Sequence, residues 1–407
     1  MKSMLELARE ILIKTDGNIC KHCLGRKLSK TIDGKNNVDR SDQILKALNY
    51  EISDSCSVCN NIFTGLCDEL YDKIYEKIDY LGVEFNKFYV GSKISKDIID
   101  SDKDLSEEFS LDVETIKQEI NRIIGKKIAN TLDKEVDFEN PDIIIVVNLL
   151  GKSNVKIQIN PIFIEGKYNK YLRGIPQTKW PCRKCRGKGC EECNFTGKQY
   201  PDSVEELISA PILKATKGYQ AAFHGAGRED IDVLMLGEGR PFVLEIKEPK
   251  IRDINLNLLE KEINNKSIGK TAYHDLKFTY KKRKAEIKQS SPDSYKIYKA
   301  VVECDDKYDQ DKLDLLTELN EIHQQTPIRV SHRRADKVRV KHVLDLSCKP
   351  IDDKTFEMTI KTEGGLYIKE LISGDEGRSQ PNVSLILGVN AICKQLDVLE
   401  VSDNNGQ

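Results

Sequence analysis

No apolar run of about 18 residues or more occurs anywhere in the chain, which excludes a membrane-spanning helix on length alone. The first ten residues, Met1 to Glu10, mix acids with apolar positions in an amphipathic helical pattern and offer no small-residue cleavage site. A secretory signal is therefore not expected, and the expected location is cytoplasmic. An excess of charge of either sign is missing too. Lys and Arg number 64 against 66 Asp and Glu, a net charge of −2. Bulk electrostatic capture of nucleic acid is thus not announced, and any RNA contact has to be made by a local face. There is no long low-complexity tract, no repeat beyond paired cysteines, and no cofactor motif. What remains is 407 residues, 39% hydrophobic and 32% charged, the composition of a soluble globular protein too long for one ordinary core.

Cysteine is plentiful, and its spacing is informative. Eight of the twelve fall in four Cys-x-x-Cys pairs: Cys20/Cys23, Cys56/Cys59, Cys182/Cys185 and Cys190/Cys193. Without a secretory signal, disulfides are disfavoured and structural zinc is the expectation. A two-residue spacer lets both sulfurs of a knuckle reach one ion, and four thiolates leave no open position for a substrate. Spacing alone leaves open whether Cys182–Cys193 closes on its own ion or pairs with the N-terminal knuckles. His22 lies inside the first knuckle and reads as a surface residue rather than a fifth ligand. Cys67, Cys304, Cys348 and Cys393 are isolated and read as buried small hydrophobes.

Apolar patterning divides the chain into four regions. Residues 1–76 form a helical opening that carries the first two knuckles. Residues 77–171 read as an α/β unit, with a strand at Phe88–Val90, a helix over Val113–Leu132, a buried strand at Ile143–Leu150 and a partly alternating strand at Val155–Ile164. Residues 172–202 form a Cys- and Gly-rich linker. Residues 203–401 make a larger α/β region, and 402–407 read as frayed. In that region helices are expected at Val204–Ile212, Ile254–Ile268 and Asp311–His323. Strands are expected at Phe242–Ile246, Tyr298–Val302, Val338–Leu346, Thr355–Thr362 and Leu385–Val389. Strands outnumber helices and several connections are short, so the fold class is α+β: a mixed, mainly antiparallel sheet flanked by helices. Two basic stretches, Lys281–Lys284 and Arg329–Lys341, suit phosphates.

Three segments of the last region carry chemistry. Gly227-Arg-Glu-Asp-Ile-Asp232 places an Arg two residues before an Asp at the mouth of an apolar segment, and the Arg is expected to steady the loop through an ion pair with a nearby acid. The segment resembles the catalytic loop of pseudouridine synthases, whose TruA branch carries Gly-Arg-x-Asp; here Asp232 stands where that signature continues with Gly. Lys296-Ile-Tyr298 resembles the Lys-x-Tyr segment of the TruB branch, in which a tyrosine stacks on the target base. Gly364-Gly-Leu-Tyr367-Ile-Lys369 is similar to the segment that supplies a basic partner to the catalytic Asp. The order of the three, the cysteine clusters and the stretches Ala226–Val233, Gly239–Ile246, Thr326–Arg334 and Ser373–Asn382 resemble the archaeal tRNA pseudouridine synthases of the Pus-ten family.

That resemblance implies an N-terminal zinc-containing accessory region with a THUMP-like RNA-binding unit over 77–171, joined to a synthase domain over 203–401. It implies isomerisation of T-loop uridines at tRNA positions 54 and 55. Asp230 is then the catalytic carboxylate, Lys369 its cationic partner, and Arg228, Tyr298 and Tyr367 belong to the substrate pocket. Structural zinc is expected and a catalytic cofactor is not. The expected partner is the T-arm of tRNA, no membrane is involved, and the chain is expected to be a monomer. Two rivals make other demands. A nuclease of the PD-(D/E)xK type would use Asp232, Glu245 and Lys247 around Mg²⁺. A zinc-containing RNA-binding adaptor without activity would leave the Arg-x-Asp loop idle.

Overall fold

The computed structural model describes residues 3–402 apart from positions 67, 152, 153, 294 and 333. Cys67, Arg333 and the tail at 403–407 lie outside the described residues. The chain divides into two compact units, Met1–Asn160 and Pro161–Gln407. Among the described residues no helix is long and apolar enough to cross a membrane.

In the first unit, helices Met4–Lys14, Lys21–Lys27, Asn37–Leu48 and Asp68–Leu81 precede the first strand. Local chemistry starts them: Ser3 and Glu6 form a reciprocal cap on the first helix, and the Asn36 side chain accepts from the Asp39 amide on the third. Helix Lys21–Lys27 packs tightly on Asn37–Leu48 because residue 25 is glycine; a Cβ there would stand 1.7 Å from the Asn37 carbonyl oxygen. A four-stranded sheet follows in the order Glu135–Val136, Lys87–Lys93, Ile143–Asn148, Asn154–Ile159. Its first two pairings are parallel and its last antiparallel. The expected helix over 113–132 forms as Ile116–Leu132, capped by Thr115 and Gln118. The boundary expected at 76/77 falls inside the helix Asp68–Leu81, and one apolar core joins Ile11, Leu24 and Ile44 to Phe88, Ile124 and Ile145. The strand Ile143–Asn148 buries one face only: Ile143, Ile145 and Val147 point inward while their neighbours are half-exposed.

The strand expected at 155–164 is two strands. Asn160 and Pro161 interrupt it, and Ile162–Lys170 joins the sheet of the second unit, where Leu234–Lys247 and Thr271–Thr279 flank it. The compact division therefore falls at 160/161 rather than after Tyr171. That ten-stranded sheet runs Ser379–Gln380, Glu321–Gln325, Val338–Pro350, Thr355–Glu363, Tyr295–Cys304, Ala391–Val401, Leu234–Lys247, Ile162–Lys170, Thr271–Thr279, with Gln220–Gly225 also paired to Leu234–Lys247. It is antiparallel except where Ala391–Val401 meets Leu234–Lys247. The parallel contact is short, Asp397 opposite Leu234 and Val398 opposite Met235, so two antiparallel halves meet there. Helices Val204–Thr216 and Leu256–Lys266 cover part of the sheet, and the mixed, mainly antiparallel expectation holds.

Two assignments in this unit change. Asp311–His323 is helical only through Glu318; Leu319 turns extended, and Glu321–Gln325 pairs with Val338–His342. Leu313, Leu316 and Leu319 are buried at a spacing that imitates a longer helix. The expected strand Leu385–Val389 does not form: Leu385–Leu387 belongs to a helix, Val383–Leu387, which starts where the Asn382 side chain accepts from the Leu385 amide and stops at left-handed Gly388. The strand in that part of the chain is Ala391–Val401.

Candidate active site

The loop 226–233 sits where the two half-sheets meet, and buried charge holds it. Glu229 accepts from Arg240 Nε at 2.9 Å and from the Tyr168 hydroxyl at 2.8 and 2.9 Å. Arg240 also donates to the Ala226 carbonyl at 2.9 Å. Gln177 donates to the Tyr168 hydroxyl at 2.8 Å and to the Gly227 carbonyl at 3.0 Å. Lys170 Nζ donates to the carbonyls of Ile175 and Asp230 at 3.0 Å each. Tyr168, Lys170, Glu229 and Arg240 are all buried, so breaking one contact leaves an unpaired charge or donor inside the protein. The loop is thus rigid, as expected, but through Glu229. Arg228 turns outward and lies 5.3 Å from the Trp180 ring centre, a cation–π contact, rather than pairing with an acid.

Next to this anchor lies a cleft of about 570 Å³ lined by Trp180, Arg228, Asp230, Asp232, Tyr298, Arg329, Arg334, Tyr367 and Lys369, among others. All five expected substrate-site residues meet there. The Asp230 side chain is 36% exposed and Arg329 Nη1 is 3.0 Å from its Oδ2. Lys369 Nζ is 3.5 Å from the same oxygen but only 2.8 and 2.9 Å from the two oxygens of Asp232. Lys369 therefore bonds chiefly to Asp232, and the nearer cation to Asp230 is Arg329. Burial opposes the Asp232 charge, yet the Lys369 ammonium outweighs it and holds that carboxyl below its ordinary range. Arg329 is itself fixed by Glu370, whose Oε1 accepts from its Nε at 2.5 Å. Burial weakens the Arg329 charge, but the Glu370 and Asp230 carboxylates more than restore it.

Tyr298 is half-buried on the strand Tyr295–Cys304, and burial pushes its hydroxyl up to about 12, so it stays protonated at neutral pH. Two positions earlier, Lys296 is buried, and desolvation followed by repulsion from Arg240 and Lys341 brings its ammonium down to about 7. Gln324 fixes the Tyr367 backbone from both sides, donating to its carbonyl at 3.0 Å and accepting from its amide at 2.8 Å. The guanidinium groups of Arg329 and Arg334 lie 5.8 and 5.9 Å from the Tyr367 ring centre. The sequence offered Arg329 and Arg334 as members of a basic stretch and of the family-like segment Thr326–Arg334, without a site role for either. The Thr326-Pro-Ile-Arg329 segment was the available signal.

The family described as Pus10, C-terminal, matches residues 163–402, and the archaeal Pus10 THUMP domain matches residues 70–148. The tRNA pseudouridine synthase Pus10 of Methanothermobacter marburgensis is 50% identical over 393 residues, covering 97% of this chain and 97% of the relative. Those of Methanosphaera stadtmanae and Methanocaldococcus jannaschii are 44% and 48% identical; each alignment covers 94% of this chain, and 95% and 86% of the respective relative. This chain belongs to the Pus10 family. A solved structure of a Cbf5-Nop10-Gar1 complex is similar at a TM-score of 0.31 and 18% identity over 49% of this chain and 45% of that one, too weak a likeness to add to the assignment.

The Pus10-family chain also brings its cysteines together as two separate clusters, Cys20/Cys23/Cys56/Cys59 and Cys182/Cys185/Cys190/Cys193. Within each, the sulfurs lie within 4.8 Å of one another, which settles that no knuckle is shared between the clusters. Sulfur separations of 3.6 Å for Cys20–Cys59 and 3.7 to 3.9 Å in the second cluster match the roughly 3.8 Å edge of a tetrahedron with metal–sulfur bonds of about 2.3 Å. Backbone amides of Gly189 and Gly197 donate to Cys185 and Cys193, as thiolates require. Both donor sets fit zinc. His22 is outside the first set; it stacks on Phe63 and its Nδ1 lies 3.0 Å from Glu119. Cys304 is buried as expected, while Cys348 and Cys393 are half-buried against the core.

Outside the cleft two readings are revised. Of the basic run Lys281–Lys284, Arg283 and Lys284 are committed to Glu165 and Glu245 at 2.6 and 2.7 Å. That leaves Lys281 and Lys282 exposed. The nuclease triad does not assemble as expected: Asp232 is held by Lys369 in the cleft, Glu245 by Lys284 and His224, and Lys247 bonds Gln220.

Proposed function

We propose that this Pus10-family protein isomerises uridine to pseudouridine in the T-loop of tRNA, at positions 54 and 55, with Asp230 as the catalytic carboxylate. The reaction breaks the N1–C1′ bond, turns the uracil and forms a C5–C1′ bond, while C5 loses a proton and N1 gains one. A carboxylate can attack the sugar or the base, or take the sugar proton as a base. The supporting observation is the pairing of rigidity with access at Asp230. Its backbone carbonyl is gripped by Lys170, while its carboxylate lines an open cleft beside Arg329, with Tyr298 and Tyr367 as aromatic walls. A base must leave its stack to enter such a cleft, and aromatic faces are the usual platform for it.

In this reading the first unit, which includes the THUMP match, helps grip the tRNA. Each cysteine cluster holds one zinc that cross-links its knuckles and takes no part in the chemistry. The protein acts as a monomer in the cytoplasm. Elemental analysis after purification without added metal should give two zinc per chain. The deciding experiment incubates the protein with unmodified tRNA and maps pseudouridine and strand breaks together. Pseudouridine at 54 and 55 is expected. Breaks without isomerisation would favour a nuclease, and binding with neither product would favour an adaptor.

A further inference from the structure

Trp180 is the only tryptophan of the chain, and neither the reaction nor the sulfur clusters account for its position. It lines the cleft that holds Asp230, Tyr298 and Tyr367. A short ladder fixes it there. The Gln199 amide donates to the Trp180 carbonyl at 2.9 Å, Pro181 bridges Lys198, and the Cys182 amide donates to the Gly197 carbonyl at 2.8 Å. The cysteine knuckle 182–193 closes the loop between those two arms. Tyr200 packs edge-on against the indole at 5.5 Å, and the Arg228 guanidinium lies 5.3 Å from its ring centre. Arg228 is exposed, and among the described residues no carboxylate pairs with it. A rigid half-buried aromatic beside an uncommitted guanidinium offers a stacking surface for a base and a charge for its phosphate.

We infer that Trp180 and Arg228 form a platform for an unpaired nucleobase next to the target uridine, and that the 182–193 knuckle exists to hold that platform on the rim of the cleft. The inference rests on the proposed function, since it takes an RNA loop as the occupant. Zinc in the knuckle would then serve substrate positioning at a distance, without touching the substrate.

With one tryptophan in the chain, emission excited where tyrosine does not absorb reports Trp180 alone. Titrating the full-length, zinc-loaded protein with unmodified tRNA should quench that emission. Trp180→Ala should raise KM about 5- to 150-fold, the range that loss of one base–aromatic stack produces, with kcat little changed. Trp180→Phe keeps an aromatic face and should recover most of the affinity. Zinc content and Tm are measured on both variants, because a merely structural tryptophan would move those and kcat rather than KM. The inference is overturned if wild-type emission stays unchanged at saturating tRNA that is still converted to pseudouridine. A folded, zinc-loaded Trp180→Ala variant with wild-type KM overturns it as well. A whole tRNA that is neither bound nor converted refutes the proposed function itself, and the platform falls with it.

Discussion

In the N-terminal unit Arg26, Lys27, Asp102 and Glu119 satisfy one another inside the protein, whereas in the second unit the charge that begins at Glu229 and Arg240 ends on Asp230 at an open cleft. Arg26 donates to Asp102 and Glu119 at 2.6 Å each, and Lys27 reaches Asp102 at 2.7 Å, with all four side chains buried. Arg26 Nη2 lies 3.5 Å from the Cys23 sulfur, so this network also backs the first cysteine cluster. Every charge there is consumed by a neighbour. In the second unit Glu229 and Arg240 are buried and paired as tightly, but the loop they hold presents Asp230 outward. The two cysteine clusters differ likewise. Cys23, Cys56 and Cys59 belong to a core, while Cys185, Cys190 and Cys193 are half-exposed on a knuckle beside the cleft residue Trp180. A closed network serves the fold; one that leaves a charged group accessible on a rigid base can serve chemistry.

Substitutions at matching points test that contrast. Asp230→Asn should lower the rate of pseudouridine formation by about 10²- to 10⁴-fold with Tm unchanged. Asp232→Asn should be milder. Arg26→Met should do the reverse, costing about 3–5 kcal/mol in denaturant unfolding by removing one of the two cations that face buried Asp102 and the guanidinium that pairs with buried Glu119. If Arg26→Met left stability intact, the first network would not be structural. Arg329→Met sits between the two cases, because it strands buried Glu370 and frees Asp230. It should cost about 1–3 kcal/mol of stability and also lower kcat, so both unfolding and turnover are measured.

A pH slope tests the lysine that the second unit buries. Burial lowers Lys296 to about 7, against an unfolded value near 10.4. Between about pH 7 and 10.4 the unfolded chain binds a proton that the folded one does not, so stability rises with pH, by at most about 1.4 kcal/mol per unit. Below pH 7 both states carry the proton and the penalty is constant and complete. Lys296→Met removes it. The variant should gain most over the parent at or below pH 7, and the gain should shrink as pH rises. A gain independent of pH would mean that Lys296 enters the fold already charged.

Truncation sharpens the division between the units. Removing residues 1–195 would take Ile162–Lys170 out of the sheet, together with Tyr168, Lys170 and Gln177, which hold the Asp230 loop. Removing 1–160 leaves that scaffold whole. Loss of activity in the longer deletion therefore says nothing about tRNA recognition. On the proposed reading the shorter one should weaken tRNA binding and blur site choice, measured on whole tRNA against an isolated T-arm hairpin.

Much of the protein was legible residue by residue. Helix Ile116–Leu132 and the strands around Tyr298, Val338 and Thr355 follow from side-chain period, and the cysteine pairs follow from a spacer that lets two sulfurs meet one ion. The Gly-Arg-x-Asp loop, Tyr298 and Lys369 could be picked out as short segments and do meet in one cleft. Tertiary structure decided the rest. It assigned Ile162–Lys170 to the second sheet, made Leu385 helical, gave Asp230 an arginine 99 positions away as its nearest cation, and gave the loop-stiffening role to Glu229 instead of Arg228. Periods, caps and ligand spacers act over a few residues and are written along the chain. Which cation meets which carboxylate depends on which strands become neighbours, and that is set by burying the whole apolar surface at once.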